Sequence, residues 1–256
     1  MKRIVLKVGS AVLTEQNRIA QERMQNLVDF IADLKEHYEI ILVSSGAVAA
    51  GYMELKLDKK VLENKQAMAS IGQPNLLHRY KKKFDRYGII VSQILVTAAN
   101  FNTSVQSERV EKTIDTLLKN GVVPIINEND ATATEELELG DNDQLSAYAA
   151  DHFNADLLVI LSDINAYYNK DPNTHSDAVI RKIVYQIDQE ELNREVSPNN
   201  RFATGGIVTK LKAAHYLLER QMPMFLASGF ELADIRSYLL DGKHKGGTLF
   251  KPEVSV

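Results

Sequence analysis

Short, almost wholly apolar runs alternate with longer segments of helical periodicity along most of this 256-residue chain. Such runs are found at residues 3–8, 39–43, 122–126 and 156–161, and the first two flank an amphipathic helical pattern at residues 20–38. Strands that alternate with helices pair in parallel, and strands that are apolar on both faces lie in a sheet covered by helices on both sides. The chain therefore predicts an α/β fold with a mainly parallel central sheet.

The rest of the chain continues this alternation. Further strands are predicted at residues 88–96 and 224–227, and helices at residues 105–118 and from a glycine turn near residue 205 to about residue 221. The helical region at residues 61–86 is expected to break near Pro74, because proline cannot continue the helical hydrogen-bond ladder. Repeats, low-complexity tracts and linkers are absent from the sequence, which favours a single domain over residues 1–256.

Composition excludes several functional classes. Hydrophobic residues make up 45% of the chain and charged residues 25%, as in ordinary globular proteins. The net charge of -4 and the pI of about 5.9 give no basic footprint for nucleic acid or an anionic membrane. Without cysteine there is no disulfide, thiolate metal site or cysteine nucleophile. The first residues lead directly into a strand and resemble no signal peptide, and no apolar run is long enough to span a bilayer, so we expect a soluble, cytoplasmic protein.

Polar residues gather where the predicted strands end. In parallel α/β sheets, ligands bind beyond the carboxyl ends of the strands, so these residues are candidates for one site. They are Lys7, Gly9, Ser10, Ser45, Thr97, Asn127, Asp130, Ser162 and Asp163.

Residues 122–147 contain two polar clusters beside apolar elements. The first is Asn127 to Asp130, and the second includes Asn142 and Asp143 at the start of a helical run. Each cluster alone has an ordinary structural explanation, since asparagine and aspartate favour turns and aspartate caps helices. Together with the other strand ends, they indicate a functional site.

Two stretches are candidates for holding phosphate. Lys7 precedes a turn at Gly9 and Ser10 whose backbone N–H groups a phosphate could approach. A solvated lysine is the alternative interpretation. The second stretch is T-G-G-I-V-T-K at residues 204–210, in which a glycine turn opens a helix whose N-terminus favours anions. A plain loop-to-helix turn is the alternative there, and neither stretch is a Walker A motif.

These residue types favour phosphoryl transfer. The six histidines form no metal-ligand pair, and no Ser/His/Asp arrangement indicates hydrolysis. Lysines, glycine N–H groups and carboxylates suit phosphoryl transfer, which depends mostly on positioning and charge stabilisation. A carboxylate acceptor, with a pKa of about 4.3, is already ionised at neutral pH and needs no general base.

Five motifs, spread in order over nearly the whole chain, resemble the glutamate 5-kinase family of the amino acid kinase superfamily. They are K-V-G-S at residues 7–10, V-S-S-G-A-V-A-A-G at 43–51, I-N-E-N-D at 126–130, G-D-N-D at 140–143 and T-G-G-x-x-T-K at 204–210. The resemblance implies a three-layer αβα sandwich, the amino acid kinase fold. It also implies transfer of the ATP γ-phosphoryl group to the side-chain carboxylate of L-glutamate, the first step toward proline.

The resemblance also implies roles for individual residues. Lys7 and Lys210 would neutralise charge on the moving phosphoryl group, with Asp143 between them. Ser45, Asp130 and Asn142 would hold glutamate, with Asn127 nearby. Mg²⁺ would arrive with the ATP phosphates, so no protein metal site is expected. The expected nucleotide contacts are Lys7, Gly9, Ser10, Ser162, Asp163, Thr204, Gly205, Gly206, Ile207, Val208, Thr209 and Lys210.

The chain departs from many family members in two ways. It ends at Val256, without the PUA-type domain that many relatives carry after the kinase domain, and residues 97–113 lack the expected T-R-x-D pattern. A homo-oligomer, dimer or tetramer, is expected. Two alternatives to a glutamate kinase stay open: a related kinase with a different carboxylate, carbamate or phosphate acceptor, and a non-catalytic nucleotide sensor. Since an acyl phosphate is prone to hydrolysis, we expect residues 131–139 or 193–203 to close over the site.

Overall fold

The computed structural model describes residues 1–101, 104–132, 142–193 and 206–253. Within these ranges eight strands form one sheet, and all neighbours are parallel except β9 and β10. The mainly parallel central sheet predicted from the sequence is therefore confirmed. In spatial order the strands are β5 (Val91–Val96), β6 (Val123–Glu128), β4 (Tyr38–Val43), β1 (Lys2–Val8), β7 (Leu157–Ser162), β9 (Met224–Ser228), β10 (Thr248–Phe250) and β8 (Ile183–Val184), and a separate hairpin joins β2 (Thr14–Glu15) to β3 (Arg18–Ile19).

Helices connect most of these strands. In chain order they are α1 (Ser10–Leu13), α2 (Gln21–Leu34), α3 (Ala47–Leu55), α4 (Leu62–Phe84), α5 (Ser104–Lys119), α6 (Asp143–His152), α7 (Gln189–Leu192), α8 (Gly206–Leu218) and α9 (Ala233–Asp241), with 3-10 turns at Asp85–Tyr87 and Ala98–Phe101. Among the helices of the described residues, none combines the length and the apolar character that crossing a membrane would require.

Two apolar cores lie on opposite faces of the sheet. Because successive side chains of a strand point to opposite faces, Val5 of β1 belongs to one core and its neighbours Ile4 and Leu6 to the other. Helices α5, α6 and α8 supply side chains to the core around Val5, and helices α2, α4 and α9 supply the core around Ile4 and Leu6. This is the helix–sheet–helix layering expected of the fold.

The central position of β1 sets the place of the site. It pairs in parallel with β4 on one side and β7 on the other, so that Lys7 is level with Val43 and Ile160. The carboxyl ends of the three strands therefore finish together at one edge of the sheet. The apolar residues of β1 before Lys7 are buried on both faces, which fixes the strand in this register.

Helix α4 does not break at Pro74, and the predicted interruption was wrong. The helix runs for 23 residues with Pro74 inside it. Proline inside a helix removes one backbone hydrogen bond and its ring crowds the preceding turn, at a total cost of about 3 kcal/mol. Burying one large apolar side chain contributes about 1.5–3 kcal/mol, and α4 buries Met68 before the proline and Leu76 and Phe84 after it. Packing on both sides of Pro74 thus outweighs the lost hydrogen bond.

Helix α3 was not predicted, although it packs closely against α4. Its sequence is rich in alanine, so it lacks the periodic large apolar side chains by which a helix is recognised. A Cβ atom on Gly51 of α3 would lie 1.8 Å from the Met68 carbonyl oxygen, and one on Gly72 of α4 would lie 1.8 Å from the Ala47 carbonyl oxygen. The two glycines therefore let the backbones of α3 and α4 touch.

Candidate active site

The sheet edge brings together most of the polar residues that follow strands. Strands β6, β4, β1 and β7 are consecutive neighbours, and their ends carry Asn127, Ser45, Lys7 and Ser162. Thr97 follows the outermost strand, β5, and its backbone N–H donates to Asn100 Oδ1 at 2.7 Å. We therefore assign Thr97 to the start of the short turn that follows β5 rather than to the site.

A buried cluster of two lysines and one aspartate lies at the centre of this edge. The Lys7 ammonium donates to Asp143 Oδ1 at 2.5 Å, and the Lys210 ammonium donates to Asp143 Oδ2 at 2.9 Å. The exposed fractions of these residues are 1% for Lys7, 3% for Lys210 and 0% for Asp143. Thr209 Oγ1 also donates to Asp143 Oδ2, at 2.9 Å. Two ammonium groups held at one carboxylate provide hydrogen-bond donors that suit an incoming phosphate.

The three members of the cluster come from three elements. Lys7 stands near the end of β1, Asp143 is the first residue of α6, and Lys210 lies in the second turn of α8. The Asp143 side chain does not cap its own helix, because the cap position is Asn142 and no side-chain cap hydrogen bond is formed there. Its oxygens accept from Lys7, Thr209 and Lys210 instead, so the explanation of Asp143 as a helix cap is wrong.

A row of hydrogen-bonded amide side chains runs from Asn142, beside this cluster, to Gln93 on the edge strand β5. Asn142 Nδ2 donates to Asn127 Oδ1 at 3.0 Å and to the Ser44 carbonyl oxygen at 3.0 Å. Asn127 Nδ2 donates to Gln73 Oε1 at 2.6 Å, and Gln73 Nε2 donates to Gln93 Oε1 at 3.0 Å. At each step between amides, the amide nitrogen of one residue donates to the amide oxygen of the next. The hydrogen bonds therefore fix the orientation of the Asn142 amide beside Asp143.

Sequence reasoning missed Gln73. The residue lies between Gly72 and Pro74, where the sequence predicted an interrupted helix, and glutamine in a helix gives no functional signal of its own. Its role depends on Asn127, which is 54 positions away in the sequence.

A cavity of about 320 Å³ opens beside the cluster. The four residues expected to bind the substrate all line it: Ser45, Asn127, Asp130 and Asn142. Ser10 and residues Ala47 to Ala49 of helix α3 also line it. The strand β6 extends two residues beyond its predicted end, so Asn127 and Glu128 belong to a buried strand rather than to a turn.

The same cavity carries charges of both signs. Asp130 and Glu128 supply carboxylates, and Lys59 and Lys65 supply cations that sequence reasoning did not select. Lys59 Nζ donates to Asn17 Oδ1 at 2.6 Å and lies 4.2 Å from the centre of the Tyr52 ring. Burial lowers the pKa of Lys59 from its ordinary value. A cavity with both signs of charge suits a zwitterionic acceptor that carries an additional carboxylate.

The hydroxyl groups of Ser44 and Tyr80 are hydrogen-bonded next to the wall of this cavity. The Ser44 hydroxyl donates to the Ser45 carbonyl oxygen at 3.0 Å, so the Tyr80 hydroxyl, 2.9 Å from Ser44 Oγ, is the donor of that pair. Burial raises the pKa of Tyr80, which keeps this donor protonated. The hydrogen bonds tie helix α4 to the turn that carries Ser45.

Most of the residues expected to contact the nucleotide lie on the other side of β1, whereas Lys7 lies in β1 itself and Ser10 lines the cavity. Ser162 ends β7, and its hydroxyl donates to Asp163 Oδ1 at 2.9 Å. The Gly9 N–H donates to the Leu161 carbonyl oxygen at 3.0 Å, so this backbone group is already used. Ile207 and Val208 belong to the apolar core on the α5, α6 and α8 face, and their side chains hold α8 in place. Gly206, at the first position of α8, precedes Thr209 and Lys210 of the buried cluster.

Several expectations fall outside the described residues. Thr204 and Gly205 lie there, and so do residues 133–139 and 194–203, which make up most of the two segments expected to close over the site. Among the residues that the structure does describe, no group of three or more histidine, aspartate and glutamate side chains is arranged to hold a metal ion.

Comparison with known proteins agrees with this geometry. Residues 2–228 match the amino acid kinase family. A glutamate 5-kinase of Leishmania donovani is 52% identical over 255 residues, covering 100% of this chain and 97% of that protein. A glutamate 5-kinase of Wolinella succinogenes is 53% identical over 255 residues, covering 98% of each chain. Among solved structures, an isopentenyl phosphate kinase has a TM-score of 0.68 at 15% identity, covering 97% of this chain and 100% of that one, and shares the fold.

The lysine pair bridged by Asp143 and the cavity beside it lie in the part of the chain that these matches cover. The motifs noted in the sequence are spread over the same range, and the relatives align over nearly their full length. The chain therefore belongs to the amino acid kinase family, among its glutamate 5-kinases.

Proposed function

We propose that the chain transfers the γ-phosphoryl group of ATP to the side-chain carboxylate of L-glutamate, which gives L-glutamyl 5-phosphate and ADP. The observation that carries this proposal is the buried lysine pair on Asp143 beside a cavity that holds charges of both signs. Asn142 joins the two parts, because it lines the cavity and directly precedes Asp143. Nearly full-length similarity to proteins named glutamate 5-kinase supports the same function.

The chemistry requires charge stabilisation more than proton transfer. A glutamate side-chain carboxylate is ionised at neutral pH, and one of its oxygens attacks the γ-phosphorus while the bond to the ADP oxygen breaks. Negative charge on the moving phosphoryl group would be neutralised by Lys7 and Lys210. Asp143 holds both ammonium groups in place before substrate arrives, so little reorganisation is needed during the reaction.

The cavity would hold glutamate by its polar groups. Asp130 is the partner for the substrate ammonium, which an acylated amine would not need. Both hydrogen bonds of the Asn142 amide are donated by Nδ2, and its oxygen accepts none from the described residues. That oxygen would be a second acceptor for the substrate ammonium. Ser45 and Asn127 complete the set, and Lys59 and Lys65 favour a substrate that carries two carboxylates.

ATP would lie on the β7 and α8 side of β1. Ser162, Asp163 and the start of α8 would contact the nucleotide, and Lys7 and Lys210 would reach its phosphates. Mg²⁺ usually binds through phosphate oxygens with few protein ligands, so it would arrive with ATP. When bound, the ion supplies positive charge against the phosphates; the chain's own contribution is to hold the two ammonium groups.

The proposal is tested by measuring ADP release with Mg-ATP and one acceptor at a time. The acceptors are L-glutamate, N-acetyl-L-glutamate, L-aspartate, carbamate and UMP, and hydroxylamine traps any acyl phosphate. We expect hydroxamate with L-glutamate alone. Activity with another acceptor would support the phosphoryl-transfer site but show that the substrate assignment is wrong. No ADP release with any acceptor would favour a nucleotide sensor.

We also propose that the enzyme is cytoplasmic and forms a homo-oligomer, a dimer or a tetramer. Strand β5 stands at one edge of the sheet, and three apolar or aromatic side chains at or next to it are exposed: Tyr87 at 46%, Ile90 at 65% and Leu95 at 43%. An open edge strand with exposed apolar side chains favours association with another chain.

A further inference from the structure

A second cavity, of about 360 Å³, lies between helices α2 and α4 on the surface and shares no lining residue with the cavity proposed for glutamate. Four cations line it: Arg79, Lys82, Lys83 and Arg86. Arg79, Lys82 and Lys83 follow one another at helical spacing on α4, and Arg86 lies in the 3-10 turn Asp85–Tyr87 that continues it. We call this cavity the basic pocket.

The charge in the basic pocket is not balanced. Glu54 is the one carboxylate among its lining residues. None of the four cations lies within 4.0 Å of a carboxylate oxygen anywhere in the described part of the chain. The neighbouring Lys81, outside the pocket, pairs normally with Asp85 at 2.8 Å. Because the whole chain has a net charge of -4, this concentration of positive charge is local.

Two of the cations converge on a single oxygen atom. Lys83 Nζ lies 3.2 Å and Arg86 Nη1 lies 3.3 Å from Gln25 Oε1, and both donate to it. The Gln25 amide is oriented by its own donation to Asp29 Oδ1 at 2.5 Å, and the same Asp29 oxygen accepts from Tyr87 at 2.7 Å. A neutral amide oxygen thus holds two positive charges close together without cancelling either.

Positive charges are close together around Lys83. Burial lowers the pKa of Lys83, the nearby Arg86 charge lowers it further, and the Asp29 carboxylate opposes these two effects. A run of lysines on an exposed helix face is ordinarily solvated, and such residues spread apart. Here the charged groups line a concave surface instead. Arginine side chains in a concave site are suited to bidentate hydrogen bonds with phosphate.

We propose that the basic pocket binds a small phosphate-bearing anion, at a site separate from the catalytic phosphate site. The ligand class is a polyphosphate or a phosphorylated metabolite, because one phosphate group would meet the converging Lys83 and Arg86 and a second would meet Arg79 and Lys82. The volume is within the usual range of small-molecule sites. This inference does not depend on which acceptor the enzyme phosphorylates.

The test is calorimetric titration with pyrophosphate at constant ionic strength, in three proteins. They are the unchanged chain, the double variant Arg79→Ala/Lys82→Ala and the control Lys81→Ala, which removes one charge from the same helix outside the pocket. We expect two classes of site in the unchanged chain, because pyrophosphate also meets Lys7 and Lys210. The double variant should weaken one class about tenfold, and the control should leave both within about twofold.

Thermal unfolding gives a second readout that a merely structural role would not produce. Without anion, the double variant should melt no lower than the unchanged chain, because it removes mutual repulsion. With pyrophosphate, its rise in melting temperature should be smaller than that of the Lys81→Ala control.

Equal pyrophosphate affinities in all three proteins would overturn the proposal, since binding would then be confined to the catalytic lysines. If the double variant unfolds early, Arg79→Gln/Lys82→Gln, which keeps most of the side-chain length, replaces it in the same titration. Citrate that binds the pocket as tightly as pyrophosphate would show that the ligand class is wrong.

Discussion

At the scale of single residues, Lys210 is the sharpest test of the phosphoryl site. Replacing it by alanine (Lys210→Ala) removes one of two ammonium groups but leaves Asp143 paired with Lys7, so the buried carboxylate keeps a partner. We expect kcat to fall by about 10²–10³, the usual cost of removing one group that stabilises transition-state charge. Initial rates of ADP release measure this.

The matched control is Lys212→Ala, on the same helix but exposed. It should retain nearly normal turnover, and circular dichroism should be the same for both variants. Near-normal turnover of Lys210→Ala would contradict the role given to that ammonium group.

Gln73 gives a second residue-scale prediction, about positioning. Replacing it by methionine (Gln73→Met) removes the oxygen that accepts from Asn127, so the Asn127 amide that accepts from Asn142 loses one of the hydrogen bonds that orient it. We expect the KM for glutamate to rise about three- to tenfold, as the loss of one hydrogen bond predicts, with kcat and the KM for ATP within about twofold. Steady-state kinetics with each substrate varied in turn separates these effects.

The conservative variant Gln73→Glu should restore most of the lost affinity. Its carboxylate still accepts from Asn127, and Gln93 Nε2, which has no hydrogen-bond partner among the described residues, can turn to donate to it. Equal glutamate KM values for the two Gln73 variants would show that the amide chain has no positioning role.

At the scale of elements, the contact between α3 and α4 depends on two glycines. The substitution Gly72→Ala places a Cβ atom 1.8 Å from the Ala47 carbonyl oxygen, so one helix must move. Overpacking of this kind costs about 1–3 kcal/mol. We expect a lower melting temperature and a higher KM for glutamate, because α3 forms part of the cavity wall.

Differential scanning calorimetry of Gly72→Ala checks this, with Ser70→Ala as the control. Ser70 is exposed on the same helix, and alanine there favours the helix slightly. A melting temperature for Gly72→Ala equal to that of the control would mean that the helices do not touch as described.

The same elements show what the sequence could and could not predict. Strands such as β1 and β7 were predicted within one residue because continuous apolar runs between helices have few other solutions. Helix α3 was missed because it packs against α4 through glycine and alanine, whose small or missing side chains leave no periodic apolar pattern in the sequence. Pro74 misled because local propensity was given more weight than burial on both sides of it.

The site, too, was predicted only in part from the sequence. Lys7 was selected as a cation at the end of an apolar strand, Lys210 through the glycine turn that opens its helix, and Asp143 as part of the second polar cluster. The motif resemblance supported all three. Gln73, Lys59 and Lys65 were not selected, because each is an ordinary residue on a helix or loop. Their importance arises from distant partners, such as Asn127 for Gln73, that only the folded chain supplies.

At the scale of the whole molecule, the exposed edge at β5 predicts assembly. We expect light scattering after size exclusion to give twice or four times the chain mass. The double variant Ile90→Lys/Leu95→Lys places charges on the edge and should shift the protein toward the monomer. The variant Val179→Lys, at another exposed apolar position, should leave the mass unchanged. A monomeric unchanged chain would remove the proposal.

The placement of the site across β1 has a consequence for how such an enzyme can change. In the proposed function, the acceptor would be recognised on the β4, β6 and α3 side of β1, whereas Ser162 ends β7 on the other side and Lys210 lies on α8. Strand β1 would then separate the residues that bind the acceptor from those that deliver the phosphoryl group. Acceptor preference can therefore diversify through substitutions around residues 44–65 and 127–130 while the donor machinery stays intact, and redesign for a new acceptor should begin there.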